Sequence, residues 1–236
     1  MNPYRYDIQT LERKARAVRR HIVRLNANSP AGGHTGADLS QVELLTALYF
    51  RVLNVAPDRL DDPQRDIYIQ SKGHAVGCYY CVLAEAGFFP VEWLETYQHA
   101  NSHLPGHPVR QKTPGIERSN WEAALAAAHY GLDNLVIIND KNNLQLAGPT
   151  REIMNTDPLA DKWRAFGMEV SECQGNDMAS VVSVIEGLKQ EGKPNVIIAN
   201  TTKGAGISFI QGRPEWHHRV PKGEEIALAL EELKDE

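Results

Sequence analysis

Four histidines of this chain lie in loops close to glycine or proline, where a side chain has room to contact a ligand. They are His34 in GGHTG, His74 in SKGHA, His107 in LPGHP and His217 in PEWHH. Glycine lets a backbone approach a ligand closely, and imidazole near neutral pH can relay a proton or stabilise an oxyanion. Because each one alone is equally well explained as a surface or capping histidine, the pattern indicates a catalytic site only if the fold brings them together.

An asparagine-rich loop, DKNNLQLAG at residues 140–148, is a second candidate for chemistry. Side-chain and backbone carbonyl oxygens are hard ligands that suit Mg²⁺ or Ca²⁺. Taken alone, however, such a loop is more simply a turn. Zinc is a further hypothesis, because His103 and His107 have the spacing of a ligand pair, but Pro105 and Gly106 interrupt the helix that would present both rings on one face.

The composition excludes several classes of function. The chain has 236 residues, a mass of 26.3 kDa and a formal net charge of −5. Nucleic-acid binding needs a concentrated basic face, whereas the one basic run, residues 13–24, lies on an amphipathic helix and is expected to be a solvated surface. No apolar run reaches the ~18 residues of a membrane span, and the N-terminus lacks the apolar region of a signal peptide. We therefore expect neither nucleic acid nor membrane as a partner.

The cysteine content favours a reducing, cytoplasmic location. Three cysteines are too few, and odd in number, for a disulfide framework. Cys78 and Cys81 form a C-x-x-C pair inside an apolar helical pattern, so we interpret them as small core residues rather than as a redox pair.

Apolar periodicity and capping patterns predict the helices that must hold these loops. Residues 7–27 carry an amphipathic stripe spaced by three and four: Ile8, Leu11, Ala15, Val18, Ile22 and Leu25. Two capping boxes predict helix starts, Ser40 with Glu43 and Ser119 with Glu122, the second opening an alanine-rich helix.

Four short apolar runs alternate with the helical patterns and predict strands. They cover residues 66–70, 134–139, 168–173 and 195–200. Such alternation is typical of an α/β fold with a mainly parallel sheet, in which ligands bind at the carboxyl ends of the strands. No linker divides the chain, so we expect residues 1–236 to form a single domain, with the loops at 71–74, 139–148 and 201–218 at one edge of its sheet.

Several long, ordered segments give the chain a specific resemblance to a known family. RDIYIQSKGHA, LPGHP, SNWEAALAAAHYGLDNLVIINDKNNLQLAG, TTKGAGISF and PEWHHRVP resemble the N-terminal part of transketolase, and more closely the N-terminal subunit of split, two-chain bacterial transketolases. The resemblance runs from about residue 10 to the end. It implies the thiamin-diphosphate-binding fold, with helices on both faces of the sheet.

The resemblance also implies roles for six residues. Asn142 matches an amide ligand of Mg²⁺, and Leu144 matches the residue that offers a backbone carbonyl to the same ion. The four loop histidines match catalytic and cofactor-binding positions: His34, His74, His107 and His217. Two departures stand out, because His218 replaces a usual glycine and the loop before His34 is less regular than in the family.

One departure is large and falls on the metal site. In the family about 40 residues separate the stretches that match TPGIE and SNWEA; they carry a glycine-rich phosphate loop, a core strand and a Gly-Asp-Gly metal motif. Here TPGIE (113–117) meets SNWEA (119–123) across Arg118. The aspartate ligand of Mg²⁺ therefore has no counterpart, and we expect a missing segment between Glu117 and Asn120.

Two explanations of this shortfall remain open. The segment is deleted, or the molecule contains it and this sequence omits it. Removing a core strand and its helix would expose hundreds of Å² of apolar surface and cost on the order of 10 kcal/mol at ~25 cal/mol/Å², which favours the second explanation. A normal peptide throughout 116–121, with Cα atoms ~3.8 Å apart, would contradict it.

The function implied by the resemblance is transfer of a two-carbon ketol unit from a ketose phosphate to an aldose phosphate such as glyceraldehyde 3-phosphate. Thiamin diphosphate and Mg²⁺ are the implied cofactors. The chain is expected to act only with a C-terminal transketolase subunit, in a dimer of heterodimers, and to form a homodimer when isolated.

Two alternatives to this function stay open. One is a non-catalytic scaffold or binding subunit that keeps the fold without the cofactor, which gains weight if the deletion is genuine. The other is a different thiamin-diphosphate reaction, such as 1-deoxyxylulose-phosphate synthesis, although that enzyme is a single longer chain.

Overall fold

The computed structural model describes residues 2–109, 113–114, 123–146 and 148–234. The predicted capping box of Ser119 and Glu122 and the join between Glu117 and Asn120 lie outside these residues.

The first helix, α1, covers Ile8–Asn28 and confirms the amphipathic stripe. It begins where the side chain of Asp7 accepts a hydrogen bond from the backbone N–H of Thr10, which satisfies one of the free donors of the first turn. The predicted stripe is buried from Leu11 to Leu25, because it faces the centre of the main core. The next three α-helices along the chain pack against α1.

The second helix begins earlier than the predicted capping box. Helix α2 covers Thr35–Ser40 and α3 covers Val42–Ala47, which continues into a π-helical turn, Leu48–Val52. Ser40 ends α2 instead of capping α3, and its Oγ lies 2.6 Å from Oδ2 of Asp140. The capping box was therefore wrong, because the helix has already begun at Thr35 and Ser40 lies in the last turn of α2.

Six more helices follow: α4 (Val76–Glu85), α5 (Ala123–His129), α6 (Thr150–Ile153), α7 (Leu159–Ala165), α8 (Met178–Glu186) and α9 (Glu224–Glu232). Short 3₁₀ turns cover Pro57–Arg59, Gly73–Ala75, Val91–Thr96 and Pro214–His217. Cys78 and Cys81 lie fully buried and unbridged in α4, in agreement with their interpretation as core residues. Within the described ranges, every helix is too short or too polar to cross a membrane.

The strands are β1 (Val136–Lys141), β2 (Leu144–Gln145), β3 (Gly148–Pro149), β4 (Glu169–Gln174) and β5 (Asn195–Asn200). The main sheet has the order β1-β5-β4, and both pairings are parallel. Parallel strands place their carboxyl ends at one edge, and the loops after β1 and β5 start there.

Helices cover both faces of this sheet, as predicted. On one face Ile197 and Ala199 of β5 join the main core with α1, α3, α4 and α8. On the other face Val196 and Ile198 pack with residues of α5 and α7 in a smaller cluster. Alternate residues of one strand thus bury against opposite layers, which is typical of an α/β fold.

The predicted strand at 66–70 is not a strand in the structure. Its chain is extended but forms no ladder with a described strand, and Ile67 and Ile69 are 59% and 47% exposed. Strand β1 is less buried than its apolar sequence predicts, with Val136 40% exposed, because it pairs with β5 on one side alone among the described residues. In both segments apolar side chains are exposed that a neighbouring strand would cover.

A cluster of imidazoles at the carboxyl edge of the sheet

His34 is positioned by a tight approach between its loop and α1. A Cβ on the preceding residue, Gly33, would lie 1.8 Å from Oδ1 of Asn26, so a residue with a side chain does not fit there. Gly32 adopts a positive φ of 79°, which glycine reaches without strain. Together they turn the chain so that His34 stands at the start of α2.

Three of the four predicted histidines come together in space. The ring centroid of His34 lies 5.1 Å from that of His74 and 5.3 Å from that of His217, and the last two rings are 5.5 Å apart. The three side chains come from the start of α2, the 3₁₀ turn at Gly73–Ala75 and the 3₁₀ turn at Pro214–His217. Residues far apart in sequence therefore form one imidazole cluster, defined here as His34, His74 and His217.

His107 borders this cluster. A Cβ on Gly73, next to His74, would lie 3.1 Å from Cδ2 of the His107 ring, so the ring covers the glycine of the SKGH loop. Its neighbour in the zinc hypothesis, His103, instead stacks on Trp93 with centroids 4.3 Å apart. The structure thus places His107 with the other predicted site histidines and turns His103 toward an aromatic ring.

A fifth imidazole, His218, joins the group from solvent. Its ring centroid lies 4.6 Å from His34 and 4.6 Å from His217. The sequence marks this position as a departure from the family, but nothing local indicates that two consecutive histidines both face His34.

The clustered imidazoles are neutral at physiological pH. Burial lowers the pKa of His34, of His74 and of His217 from 6.5 to about 4, and the nearby positive charges add to this effect. Neutral imidazole carries one nitrogen that donates and one that accepts, so each ring can take up a proton or stabilise a developing charge.

Lys203 is a site residue that the histidine pattern missed. Its side chain is 2% exposed, and Nζ lies 3.0 Å from Nδ1 of His217. Burial lowers the pKa of its ammonium group. The loop that carries it is tied to α2, because the N–H of Gly204 donates to the carbonyl of Gly36 over 2.9 Å. The signal available in the sequence was a lysine in the glycine loop TTKGAG directly after a strand.

A second missed group, Lys72 with Asp140, joins two of the site loops. Nζ of Lys72 forms an ion pair with Asp140, which also accepts hydrogen bonds from Ser40 and Thr201. Burial alone would raise the pKa of Asp140, but the charge of Lys72 and these hydrogen bonds outweigh it, so the pKa is lowered. The ionised carboxylate therefore locks the end of β1 to the SKGH loop and to the chain after β5.

Asp38 is a buried carboxyl in α2, the helix that begins directly after His34. It is 1% exposed; Oδ2 accepts from Nδ2 of Asn26 over 3.0 Å, and Oδ1 accepts from the N–H of Cys78 over 2.9 Å. Burial raises its pKa to about 6, although these hydrogen bonds favour the ionised form. The side chain of Asp38 therefore joins α2, which carries it, to α1 and α4.

The two residues predicted to hold a metal, Asn142 and Leu144, follow β1 directly. Oδ1 of Asn142 accepts a hydrogen bond from the N–H of Leu144 over 3.0 Å, and Asn143 between them has a positive φ of 58°. The pair closes a tight turn, which leaves the backbone carbonyl of Leu144 and one lone pair of Asn142 Oδ1 for other partners.

The sequence profile of one family, described as the thiamine diphosphate binding domain of transketolase, matches this chain in two pieces, residues 13–120 and 119–234. The two pieces meet at residues 119–120.

Two relatives of similar size match nearly end to end, and both are named as subunits of an apulose-4-phosphate transketolase. The chain is 61% identical to the one from Actinobacillus succinogenes over 276 aligned positions that span both proteins. It is 34% identical to the one from Phocaeicola vulgatus, covering 97% of this chain and 95% of that protein.

A solved structure shares the fold. Transketolase from Campylobacter jejuni superposes on 97% of this chain with a TM-score of 0.84 at 24% identity. The chain spans 43% of that larger protein.

Proposed function

This chain belongs to the transketolase family, and we propose that it is the thiamine diphosphate-binding subunit of a two-chain transketolase. The reaction is transfer of a two-carbon ketol unit from a ketose phosphate to an aldose phosphate. The observation that carries the proposal is the imidazole cluster, three neutral rings held at the carboxyl edge of a parallel sheet in a chain that matches transketolase subunits along its length.

The imidazole cluster supplies the proton transfers of this reaction. Ketol transfer requires that hydroxyl protons leave and return and that charge on oxygen is stabilised, and a neutral imidazole has one nitrogen that can accept a proton and one N–H that can donate to oxygen. We assign His34 and His74 to the sugar hydroxyls and His217, held by Lys203, to a position beside them. His107 closes the side of the cluster over Gly73.

The organic part of the cofactor fits these residues. A bound thiamine diphosphate supplies a nucleophilic carbon and an electron sink for the transferred unit. The rings of His34, His74 and His217 are neutral and half-buried, so they can contact the ring of the cofactor and the hydroxyl groups of a sugar without adding charge.

The residues available to bind Mg²⁺ fit that ion less well. Asn142 and Leu144 would offer Mg²⁺ one amide oxygen and one carbonyl, but Mg²⁺ is usually bound through at least one carboxylate. The nearest carboxylate along the chain, Asp140, is already paired with Lys72 and accepts hydrogen bonds from two hydroxyls. Asn142 and Leu144 alone therefore do not make a complete site for Mg²⁺.

We propose that a segment of about 40 residues is missing between Glu117 and Asn120. Support comes from the alignment to the Actinobacillus relative, which spans 276 positions against the 236 residues of this chain. The two-part match of the family profile, broken at residues 119–120, gives the same location.

The packing of the sheet supports the same proposal. The extended chain at 66–70 and strand β1 lead to opposite partners of the Lys72–Asp140 ion pair, yet they form no ladder with each other. Both carry exposed isoleucine or valine side chains. A strand between the two segments would cover these side chains and bring its own carboxyl-end loop beside Asp140. The expected metal-binding aspartate belongs to that loop.

Intact-mass measurement of the protein purified from its natural source tests this point. A mass of 26.3 kDa means a genuine deletion. A mass larger by that of about 40 residues means that the natural protein contains the segment. The first result would contradict the explanation we favour, in which the natural protein contains the segment and this sequence omits it.

The proposed partner is a C-terminal transketolase subunit, in a dimer of heterodimers, and the proposed compartment is the cytoplasm. The size of the relatives and the span of 43% of a full transketolase support a two-chain enzyme. Three unbridged cysteines suit a reducing compartment. The relatives' names make apulose 4-phosphate the first ketose to try, with glyceraldehyde 3-phosphate as the aldose.

Reconstitution tests the function. Ketol transfer from apulose 4-phosphate is measured with this chain, with its partner, and with both, in thiamine diphosphate and Mg²⁺. We expect activity only when both subunits are present. Full activity from this chain by itself would contradict a split enzyme. If the pair assembles but neither binds thiamine diphosphate nor reacts, the chain is a non-catalytic scaffold. That result gains weight if the deletion is genuine.

A further inference from the structure

Three histidines at the solvent side of the imidazole cluster form a set of metal ligands. One ring nitrogen from each of His34, His217 and His218 lies within 4.8 Å of the others. Imidazole nitrogen is a ligand of Zn²⁺, Ni²⁺, Cu²⁺ and related ions, and three such ligands suffice for a site. We propose that His34, His217 and His218 bind a zinc-like divalent transition-metal ion, independently of the function proposed above.

The distances between the three ring nitrogens are longer than in a metal-bound site, so the rings must move closer together when an ion binds. In tetrahedral zinc, bonds of ~2.0–2.1 Å put ligand nitrogens about 3.3 Å apart, so the rings must approach by up to about 1.5 Å. His218 is exposed and follows the 3₁₀ turn that ends at His217, so a change of its rotamer brings the ring inward. His34 is fixed by α2 and provides the rigid side of the site.

The protonation state of the rings suits coordination. Metal ligands must be neutral imidazoles, and burial holds the pKa of His34 and of His217 at about 4. Nζ of Lys203 lies 3.0 Å from Nδ1 of His217, and a charged ammonium donates to that nitrogen and leaves the ring proton on Nε2, so coordination by His217 requires that Lys203 loses its proton or moves away. The charges of Lys203 and Lys72 oppose a cation here, and they set an affinity below that of a structural zinc site.

This site differs from a magnesium site in its chemistry. Its donors are soft to borderline nitrogens, whereas Mg²⁺ takes hard oxygens such as those of Asn142 and Leu144. Three ligands leave a fourth coordination position open, which is the arrangement of an exchangeable site and not of a structural one. Because His34 and His217 also belong to the imidazole cluster, an ion held there occupies space that the proposed cofactor needs.

The test uses the untagged full chain and Co²⁺, whose visible absorption reports nitrogen coordination. We expect one Co²⁺ per chain and its displacement by Zn²⁺. His218→Gln should weaken Co²⁺ binding at least 10-fold, because one of three ligands is lost. The matched control is His129→Gln, since His129 is an exposed histidine on α5 that lies outside the cluster.

Two results would overturn the site: no visible band with the wild-type chain, or equal affinities for the wild type and the His218→Gln variant. Circular dichroism of both variants checks that each is folded.

A competition experiment tests whether the metal ion and the proposed cofactor bind at the same place. Thiamine diphosphate is added to the Co²⁺-loaded chain with its partner. Loss of the band supports the shared location, and coexistence of both ligands contradicts it. A failed ketol-transfer assay leaves the Co²⁺ result unaffected, so the two proposals fail separately.

Discussion

Nζ of Lys203 lies 3.0 Å from Nδ1 of His217, and the lysine side chain is almost wholly buried. A cation in this position acts on the imidazole in two ways. It fixes one ring nitrogen by a hydrogen bond, and its charge adds to burial in lowering the pKa of His217 to about 4. Lys203 is thus a positioning residue for the imidazole cluster.

Replacing Lys203 by methionine should raise the pKa of His217. The variant keeps the length of the side chain and removes the charge, so one of the effects that disfavour the imidazolium disappears. NMR titration of the His217 ring measures the change. Lys193→Met, which removes an exposed lysine elsewhere, should leave that titration unaltered. A pKa of His217 that stays at about 4 in the Lys203→Met variant would contradict the role of Lys203.

His74→Gln should lower kcat of ketol transfer by the pair of subunits about 10²–10⁴-fold, the range for loss of a general acid–base group. The ring of His74 is neutral and lies among two other imidazoles, where glutamine retains hydrogen bonding but loses proton transfer. Steady-state kinetics with separate kcat and KM values measures the effect. His129→Gln serves as the control, and a His74→Gln enzyme with unchanged kcat would remove His74 from the mechanism.

Stability should fall as the pH is lowered from 6.5 to about 4. In this window the unfolded chain binds protons at His34, His74 and His217, whereas the folded chain resists them, so protons favour unfolding. Asp38 acts in the opposite direction, because its raised pKa of about 6 makes the folded chain take up a proton between about 6 and 3.8. Three histidines against one aspartate give a net loss.

Urea unfolding at pH 7.5, 6 and 4.5 measures this dependence. The triple variant with glutamine at His34, His74 and His217 should lose most of the slope. A wild-type midpoint that rises as the pH falls would show that Asp38 dominates instead.

Arg19→Met should destabilise the fold by about 3–5 kcal/mol, the cost of leaving one partner of a buried ion pair alone. Nη2 of Arg19 lies 2.7 Å from Oε1 of Glu43, both side chains are buried, and Nε donates to the carbonyl of Ala205 over 3.0 Å. The double variant Arg19→Met/Glu43→Leu should lose less than the sum of the two single changes. Additive losses in chemical denaturation would contradict coupling between the two residues.

Local signals in the sequence predicted the elements that depend on local physics. The stripe from Ile8 to Leu25 became α1, and the apolar run at 195–200 became β5 with the predicted bounds. Both patterns describe which faces are buried, and a central helix and a central strand bury those faces whatever surrounds them. The loop histidines were found for a similar reason, because glycine beside histidine is visible along the chain.

The failures all depend on partners distant in sequence. Residues 66–70 have a strand's composition, but a strand needs a ladder partner, and none lies beside them among the described residues. Ser40 has the local pattern of a helix cap, but it lies in the last turn of α2, and its hydroxyl donates to Asp140, a hundred residues away. Lys72, Lys203 and His218 belong to the site because of what they face, which spacing along the chain does not reveal.

The buried cysteines make the native chain almost unreactive toward thiol reagents. Cys78 and Cys81 are enclosed in α4, where burial raises the pKa of each thiol, and burial raises the pKa of Cys173 to about 11. The thiolate is the form that reacts with alkylating labels, so at neutral pH these residues contribute little signal. A single cysteine introduced on an exposed loop can therefore carry a fluorophore or spin label with the three native thiols left in place.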